Sequence, residues 1–209
     1  MKKLLVLLFS LFFLSSPSVY ADDISDFKIE GISIGDNLLF HMTKDEILEE
    51  IEKTKDYYSY LNEPYKYFEV TSRKKFPIFT EGLSFFIKNN SANKYISSKK
   101  EIYTILGIRG FINYDSNYEG CIQKRNEIEE DVYKIFLVTQ RIEDIDDHPF
   151  DPSGKSIVNK IRLELNSGGE AHFDCVNWEE NFKVKNNFYD SLSVNIISKE
   201  IVVWGSNQK

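Results

Sequence analysis

The sequence predicts an α+β protein in which antiparallel strands form a meander and two amphipathic helices pack on one face of the sheet. Two segments combine a helix-start signal with apolar residues at three- and four-residue spacing, as amphipathic helices do. Six shorter segments alternate apolar and polar residues, which is typical of strands with one buried face. The two cysteines fall on predicted inward faces, so one disulfide completes the predicted fold.

The first 21 residues, MKKLLVLLFSLFFLSSPSVYA, predict a secretory signal peptide. Two lysines precede an apolar run from Leu4 to Leu14, and Ala21 marks the cleavage site. An uncleaved membrane anchor is the alternative, but this run is too short to cross a bilayer. We therefore expect a mature exported domain at residues 22–209, located in the periplasm or secreted.

The mature chain is acidic, which excludes several classes of partner. Removing the signal peptide takes away Lys2 and Lys3 but no acidic residue, so the formal net charge changes from −7 to −9. Nucleic acids and anionic membranes are bound by concentrated Lys and Arg, and the basic clusters in this chain are short. We expect no nucleic-acid partner and no stable membrane insertion after signal cleavage, and we expect that any partner is another envelope protein.

The first predicted helix begins after a capping box formed by Thr43 and Glu46, in which each side chain bonds the other residue's backbone N–H. Met42 and Ile47 occupy the two positions of a hydrophobic staple. The helix is predicted at residues 44–53. Three of its residues are expected to face the core: Ile47, Leu48 and Ile51.

The segment DYYSYLNEPYKYF, at residues 56–68, is rich in tyrosine. Half-buried rings that pack a helix-to-strand connection are the favoured interpretation, and a ligand-stacking platform is the alternative. Strands are then predicted at 65–71, 82–88 and 101–114, in the order of an antiparallel meander. Alternation gives the third strand two faces, with Ile102, Leu106, Ile108 and Ile112 on one and Tyr103, Arg109 and Asn113 on the other.

The second predicted helix begins after another capping box, formed by Ser116 and Glu119. Its inward stripe consists of Tyr118, Cys121, Arg125, Ile128, Val132 and Ile135. A polar connection is predicted after this helix.

Three more strands follow, at 156–166, 170–176 and 188–197, and the turn NSGG joins the first two as a hairpin. The tail SKEIVVWG fits either a short helix capped by Ser198 or an edge strand. The order helix, strand, strand, strand thus occurs twice. This αβββ pattern divides the mature chain into halves at 22–114 and 115–209.

The cysteines are predicted to form a structural disulfide. Alternation places Cys175 on the same face as Ala171 and Phe173, toward the core, and Cys121 lies on the stripe of the helix that covers this sheet. Because an exported chain meets an oxidising environment, a bond between the two is favoured over free thiols. A redox pair would favour CxxC spacing and a zinc site would need two more close ligands, and the sequence has neither.

Two groups of residues are candidates for chemistry. His172 and Asp174 share the outward face of one strand, where an imidazole and a carboxylate can act together, although i and i+2 residues share a face by geometry alone. The segment 143–151 is predicted to be an acidic loop. Its candidate cation ligands are Asp144, Asp146, Asp147 and Asp151. The EF-hand pattern is not met, so a solvated loop is the favoured interpretation and a metal is not predicted.

Three stretches resemble known proteins: IEGISIGDNLL before the first helix, GC…K…EI in the second, and the late LNSGGEAHFDC…W. With the signal peptide, they make the chain similar to small exported, periplasmic proteins of marine bacteria, a resemblance that implies no activity. GISIGDN…MTKDEI, within residues 31–47, also resembles the opening of BamE-like and β-lactamase-inhibitor-like domains. That resemblance implies helices on an antiparallel sheet and a protein-binding module without catalytic residues.

The sequence therefore favours a non-catalytic binding protein or an envelope assembly-accessory protein, with no cofactor. No nucleophile, base and oxyanion donor can be assembled from its residues, and there is no Gly-rich phosphate loop before a helix. The alternative is a small exported hydrolase that uses His172 and Asp174 together with the 143–151 segment.

Overall fold

The computed structural model describes residues 24–89, 94–115 and 117–207. The predicted signal peptide lies outside the described residues. The strands are β1 (Lys28–Ile29), β2 (Ile32–Ser33), β3 (Tyr67–Ser72), β4 (Leu83–Lys88), β5 (Ile105–Asn113), β6 (Val138–Asp147), β7 (Ile157–Leu165), β8 (Glu170–Asn177) and β9 (Ser191–Ile197). The helices are α1 (Lys44–Thr54), α2 (Tyr118–Ile135), α3 (Glu180–Asn186) and α4 (Lys199–Gly205).

Seven of the strands form one antiparallel sheet in the order β3-β4-β5-β9-β8-β7-β6. β3 to β5 make one meander and β6 to β8 make another. β9 lies between them and pairs with β5 on one side and β8 on the other. The predicted α+β class is confirmed, and both halves belong to one sheet. The predicted αβββ order holds for α1 and β3 to β5 but not for the second half, where β6 precedes the three predicted strands and α3 lies before the last of them. β1 and β2 form a separate small hairpin.

The main hydrophobic core lies between one face of this sheet and two helices. α1 packs on β3 and α2 packs on β8 and β9, so the prediction that both helices share a face is confirmed. Phe79, from the β3–β4 connection, closes against Gly110 on this face, where even a Cβ atom would meet the phenyl ring at 2.3 Å. The innermost residues of the sheet include Val70, Phe85, Ile108, Ile161, Phe173 and Leu192.

α1 confirms the predicted capping box. The Glu46 backbone N–H donates to Thr43 Oγ1, and the Thr43 backbone N–H donates to Glu46 Oε2. Ile47 is fully buried, but the prediction that Leu48 faces inward is wrong, because it is 47% exposed. The helix phase turns Glu50 and Thr54 inward instead, and the Thr54 hydroxyl donates to the Glu69 carbonyl on β3.

The N-cap of α2 lies one residue after the predicted N-cap. Asn117 is its N-cap and accepts a hydrogen bond from the Gly120 N–H, while Ser116 lies outside the described residues. The predicted inward stripe is confirmed by Cys121, Arg125 and Val132, all of which are buried.

A β-bulge corrects the predicted faces of the third strand. The register between β4 and β5 shifts between Phe86 and Ile87, so Ile105 rather than Leu106 faces the helices. Leu106 packs on the opposite face. The segment SKEIVVWG contains the helix α4, which confirms the helical one of its two interpretations.

The opposite face of the sheet is only partly covered. Ile201 and Trp204 of α4, together with Leu61, pack against Tyr67, Phe86 and Ile197 in a second, smaller core. The outward residues of β7, β8 and the first half of β9 are not part of either core, and several of them are charged. This open face is where the polar candidate residues lie.

The predicted disulfide is confirmed. Cys121 on α2 and Cys175 on β8 are bonded, with their Cα atoms 6.0 Å apart, and both are fully buried. The bond fixes α2 to the sheet and closes a chain segment with a sequence separation of 54 residues.

We expect the double substitution of Cys121→Ala and Cys175→Ala to lower the free energy of unfolding by about 4 kcal/mol, because it releases the loop-closure constraint on the unfolded chain. Urea denaturation of the oxidised protein and the variant measures this difference. A reducing agent should destabilise the wild type and leave the variant unchanged. Two reactive thiols in denatured, unreduced protein would contradict the bond.

Candidate functional site

A cleft of about 410 Å³ opens on the uncovered face of the sheet, beside the C-terminal end of α4. Its volume lies in the usual range of small-molecule sites, about 300–1,000 Å³. One wall is aromatic and comes from α4 and the connection after α1. The floor and the other wall are polar and come from β5, β7, β8 and β9.

The polar floor is a row of side chains fixed by strand register. Arg109 on β5 lies opposite Asn195 on β9, Asn195 lies opposite His172 on β8, and His172 lies opposite Arg162 on β7. Directly opposed residues in an antiparallel sheet have Cβ atoms about 5 Å apart. The fold therefore lines up four hydrogen-bonding side chains without any help from a loop.

Arg109 is held in place by the buried carboxylate of Glu69. Its Nη1 donates to Glu69 Oε1 at 3.2 Å, and the guanidinium lies 5.5 Å from the centre of the Phe86 ring. The Tyr58 hydroxyl donates to the other Glu69 oxygen at 2.5 Å. Burial, followed by the negative charge of Glu69, raises the pKa of Tyr58 well above its usual range, so Tyr58 stays a neutral donor.

His172 has a carboxylate partner two residues away on its own strand. Its Nε2 lies 2.6 Å from Glu170 Oε2, and this hydrogen bond lowers the pKa of Glu170 from its ordinary value. The arrangement fixes the imidazole ring against β8.

Asn195 is the buried side chain of the row, and its hydrogen bonding is incomplete. It is 7% exposed, and no donor in the described part of the chain reaches its Oδ1 atom. A buried acceptor without a donor costs about 1–3 kcal/mol, so such atoms in native proteins require an explanation. Asn195 lines the cleft, but its Oδ1 atom is itself shielded from solvent.

The aromatic wall consists of Tyr58, Tyr60, Phe86 and Trp204. Tyr58 packs edge-on against Trp204 at 5.1 Å between ring centres, and the Trp204 indole donates to the Glu63 carbonyl. Tyr60 lies 6.4 Å from Tyr58 and is 54% exposed. The tyrosine-rich segment thus contains both half-buried packing rings, as favoured from the sequence, and one exposed ring at the cleft.

Asp174 lies on the same face as His172, as predicted, but in the next row of the sheet. Its cross-strand neighbours are Lys160 and Ser193, and it is not among the residues that line the cleft. Burial raises the pKa of Asp174, although the positive charges of His172 and Lys160 oppose this shift. His172 therefore pairs with Glu170 rather than with Asp174.

The predicted acidic loop is wrong up to Asp147, because these residues form the edge strand β6. Asp144 and Asp146 project on the open face, where Asp146 pairs with Lys160 at 2.7 Å, and Asp147 alternates to the other face. Glu143 bonds the buried Arg125 of α2 at 3.2 Å. Strand alternation thus divides these carboxylates between the two faces of the sheet.

Asp151 lies in the turn after β6, and neighbouring groups of the chain already donate hydrogen bonds to its carboxylate. Its carboxylate accepts hydrogen bonds from the backbone N–H and the hydroxyl of Ser153 and from the same two groups of Ser156. These bonds, the Ser156 hydroxyl first, hold the pKa of Asp151 far below its usual range. Across residues 24–89, 94–115 and 117–207, no three His, Cys, Asp or Glu side chains converge as a metal site would require.

The sequence pointed to His172 and offered the tyrosine-rich segment as an alternative stacking surface, but it did not point to Asn195, Arg162 or Glu170. One signal was available, since the chain has only five arginines and two of them fall in predicted strands on outward positions. Arg162 faces His172 across the β7–β8 hairpin, but only β9 adds Asn195 and Arg109 to the row, because it pairs with both β8 and β5.

No protein-family model matches the chain, and comparison with curated proteins and with solved structures finds no match. Within the part of the chain that the structure describes, no helix is both long enough and apolar enough to cross a membrane.

We expect Asp174→Asn to raise the melting temperature at pH 7. Because the folded-state pKa of Asp174 is raised above its unfolded value, ionisation of this carboxylate opposes folding at neutral pH, and the amide removes that cost. The gain should shrink as the pH falls and Asp174 becomes protonated in the wild type. Asp144→Asn, an exposed carboxylate on the same face, is the control and should change the melting temperature little. A lower melting temperature for Asp174→Asn would contradict this account.

We expect Asp151→Asn to destabilise the protein at neutral pH, since an amide nitrogen would face donors that now meet a carboxylate. The folded-state pKa is lowered, so the stabilisation is full above about pH 4 and is lost as the pH falls further. Melting curves of wild type and variant should therefore converge in acid. Added calcium should leave both melting curves unchanged at pH 7. A calcium-dependent rise in the melting temperature of the wild type alone would show that Asp151 binds a cation instead.

Proposed function

We propose that this chain is a non-catalytic binding protein of the cell envelope and that the open-face cleft is its ligand site. The single observation that carries the proposal is the cleft itself, in which the exposed ring of Tyr60 lies beside a row of polar side chains fixed by strand register. An aromatic wall with a few convergent polar groups is the usual composition of a small-molecule site. The Arg162 side chain is 46% exposed and approaches Glu164 only to 4.0 Å, so its guanidinium remains available to a ligand.

The composition of the cleft favours binding over catalysis. His172 is engaged by Glu170. The hydroxyl of Tyr58 donates to Glu69, and the hydroxyl of Ser206 donates to the Val203 carbonyl. The hydrolase alternative needs His172, Asp174 and the 143–151 segment to converge. Asp174 lies in a neighbouring row and most of that segment lies in β6.

An extracytoplasmic location, periplasmic or secreted, is part of this proposal. The buried Cys121–Cys175 bond supports it, because structural disulfides persist in oxidising compartments. The signal-peptide pattern at residues 1–21 supports it independently. An assembly-accessory role with another envelope protein, and the resemblance to BamE-like domains, stay predictions.

The test uses the oxidised protein and the small-molecule fraction of an envelope extract. We expect cleft residues to show chemical-shift changes on addition of this fraction, and the compound that co-purifies with the protein to be recovered intact. Arg162→Ala, in the cleft, should weaken this response, whereas Arg73→Ala, an exposed arginine outside the cleft, should not.

Two outcomes would overturn the proposal. One is that no fraction perturbs the cleft residues. The other is that the protein converts the bound compound and loses that activity on His172→Ala, which would establish the hydrolase instead.

A further inference from the structure

The charges and the shape of the cleft specify its ligand further, and the following inference rests on the proposed function. We propose that the cleft binds an elongated monocarboxylate, with its carboxylate on the Arg162 guanidinium and a flat apolar group against the Tyr60 ring. Three observations carry this: an arginine without a hydrogen bond, an exposed aromatic ring, and the separation of the two along the cleft.

Arg162 is the cation of the cleft that has no close partner. It makes no hydrogen bond within the described part of the chain, and Glu164 approaches its Nη2 only to 4.0 Å. Strand register explains this, because the residues directly opposite Arg162 are Ile142 on β6 and His172 on β8, and neither is a carboxylate. A guanidinium presents five N–H donors in a planar fork that matches a carboxylate. An anionic ligand group therefore finds its hydrogen-bond donors here.

The other cation-bearing side chains of the cleft already have carboxylate partners. Arg109 Nη1 donates to Glu69 Oε1 at 3.2 Å, and His172 Nε2 lies 2.6 Å from Glu170 Oε2. The carboxylate of a ligand is therefore expected at Arg162 and not at the Arg109 end of the row.

Two carboxylates near Arg162 limit how much negative charge a ligand can bring. Glu170 lines the cleft, and it lies directly opposite Glu164 on the neighbouring strand. Like charges at this range repel, so a second negative charge on the ligand is opposed. A phosphate monoester carries about −1.5 to −2 charges at neutral pH, whereas a carboxylate carries one. The cleft therefore favours a carboxylate over a phosphate.

The exposed ring lies at the other end of the cleft. Tyr60 is 54% exposed and lies 6.4 Å from Tyr58, whose hydroxyl donates to the same Glu69 that holds Arg109. The strand that carries Arg109 is separated from the strand that carries Arg162 by β9 and β8. Three strand spacings place these two residues about 14 Å apart at the backbone. A ligand that contacts both ends is therefore elongated.

The lining between the two ends favours an apolar body for this ligand. Leu61, Ile197, Ile201, Val202 and Trp204 line the cleft on the side of α4. Contact with them removes apolar surface of the ligand from water, which is favourable. An apolar wall with a single available cation at its far end matches an amphipathic anion.

The experiment titrates the oxidised protein by calorimetry and NMR with three carboxylates of increasing length: benzoate, phenylbutanoate and phenylhexanoate. We expect phenylhexanoate to bind, and benzoate to bind at least about tenfold more weakly because it cannot contact both ends. Two matched probes vary the charge alone: the primary amide of phenylhexanoic acid is neutral, and phenylhexyl phosphate brings a second charge. Each should bind at least about tenfold more weakly than phenylhexanoate. Added salt should weaken phenylhexanoate binding, since the exposed guanidinium is screened.

Variants of two exposed residues locate the binding. Arg162→Gln should weaken phenylhexanoate about tenfold, so that the acid and its amide bind equally, and Arg162→Lys should restore part of the difference because it keeps the charge without the fork. Arg73→Gln, at an exposed arginine outside the cleft, should have no effect. Tyr60→Ala should weaken the acid and the amide alike, whereas Tyr60→Phe retains the ring and should bind as the wild type does. Tyr57→Ala is the control for an exposed tyrosine outside the cleft.

The outcomes separate this inference from the proposed function. If the amide binds as tightly as the acid, or the phosphate binds more tightly, and Tyr60→Ala weakens that binding, the monocarboxylate is overturned and the cleft stays the site. Phenylhexanoate binding that is insensitive to both Arg162→Gln and Tyr60→Ala overturns the inference, because the ligand then lies elsewhere. Failure of every probe also overturns the monocarboxylate, and the envelope-extract titration then judges the binding function on its own.

Discussion

The fold depends on the position of β9 between two meanders. This strand, Ser191–Ile197, is hydrogen-bonded to β5 on one side and to β8 on the other. Val194 thereby lies between Gly110 and Phe173 on the buried face, and Asn195 lies between Arg109 and His172 on the open face. Because side chains alternate along a strand, a shift of one residue in β9 would exchange these two sets and destroy both the core and the cleft.

The two faces of the sheet are stabilised in different ways, and this difference produces the site. The face toward α1 and α2 is mainly apolar and carries the buried disulfide. Only the short α4 and the segment around Leu61 cover the other face. Outward residues of β7 and β8 therefore line the open cleft. A polar row that a full helical layer would have to desolvate is instead left facing a cleft.

Much of the fold could be predicted from the sequence, because the signals were local. The Thr43 cap, the hairpin around residues 166–169 and the inward face of Cys175 all follow from short-range patterns, and each is confirmed. Leu106 was misplaced because a β-bulge depends on the partner strand. β6 was missed because its residues are charged on both faces, as exposed edge strands often are, so they show no alternation.

The candidate site was less predictable than the fold, for a physical reason. Its floor takes one residue from each of four strands, and only the tertiary order of the strands brings them together. Sequence spacing identified His172 as an outward residue but paired it with Asp174, which is its neighbour along the strand. Its hydrogen-bonding partner is Glu170, two residues away in the other direction, at 2.6 Å.

The location of β9 after both meanders also determines how the sheet can close. Neither meander can complete the shared sheet until residues 191–197 pair with β5 and β8, and β5 lies about eighty residues earlier. Long-range pairing of this kind is slow, since the connecting chain must first lose its freedom. The two meanders can form from local hairpins first, and we expect the pairing of β9 with β5 to be the slow step of folding that joins them.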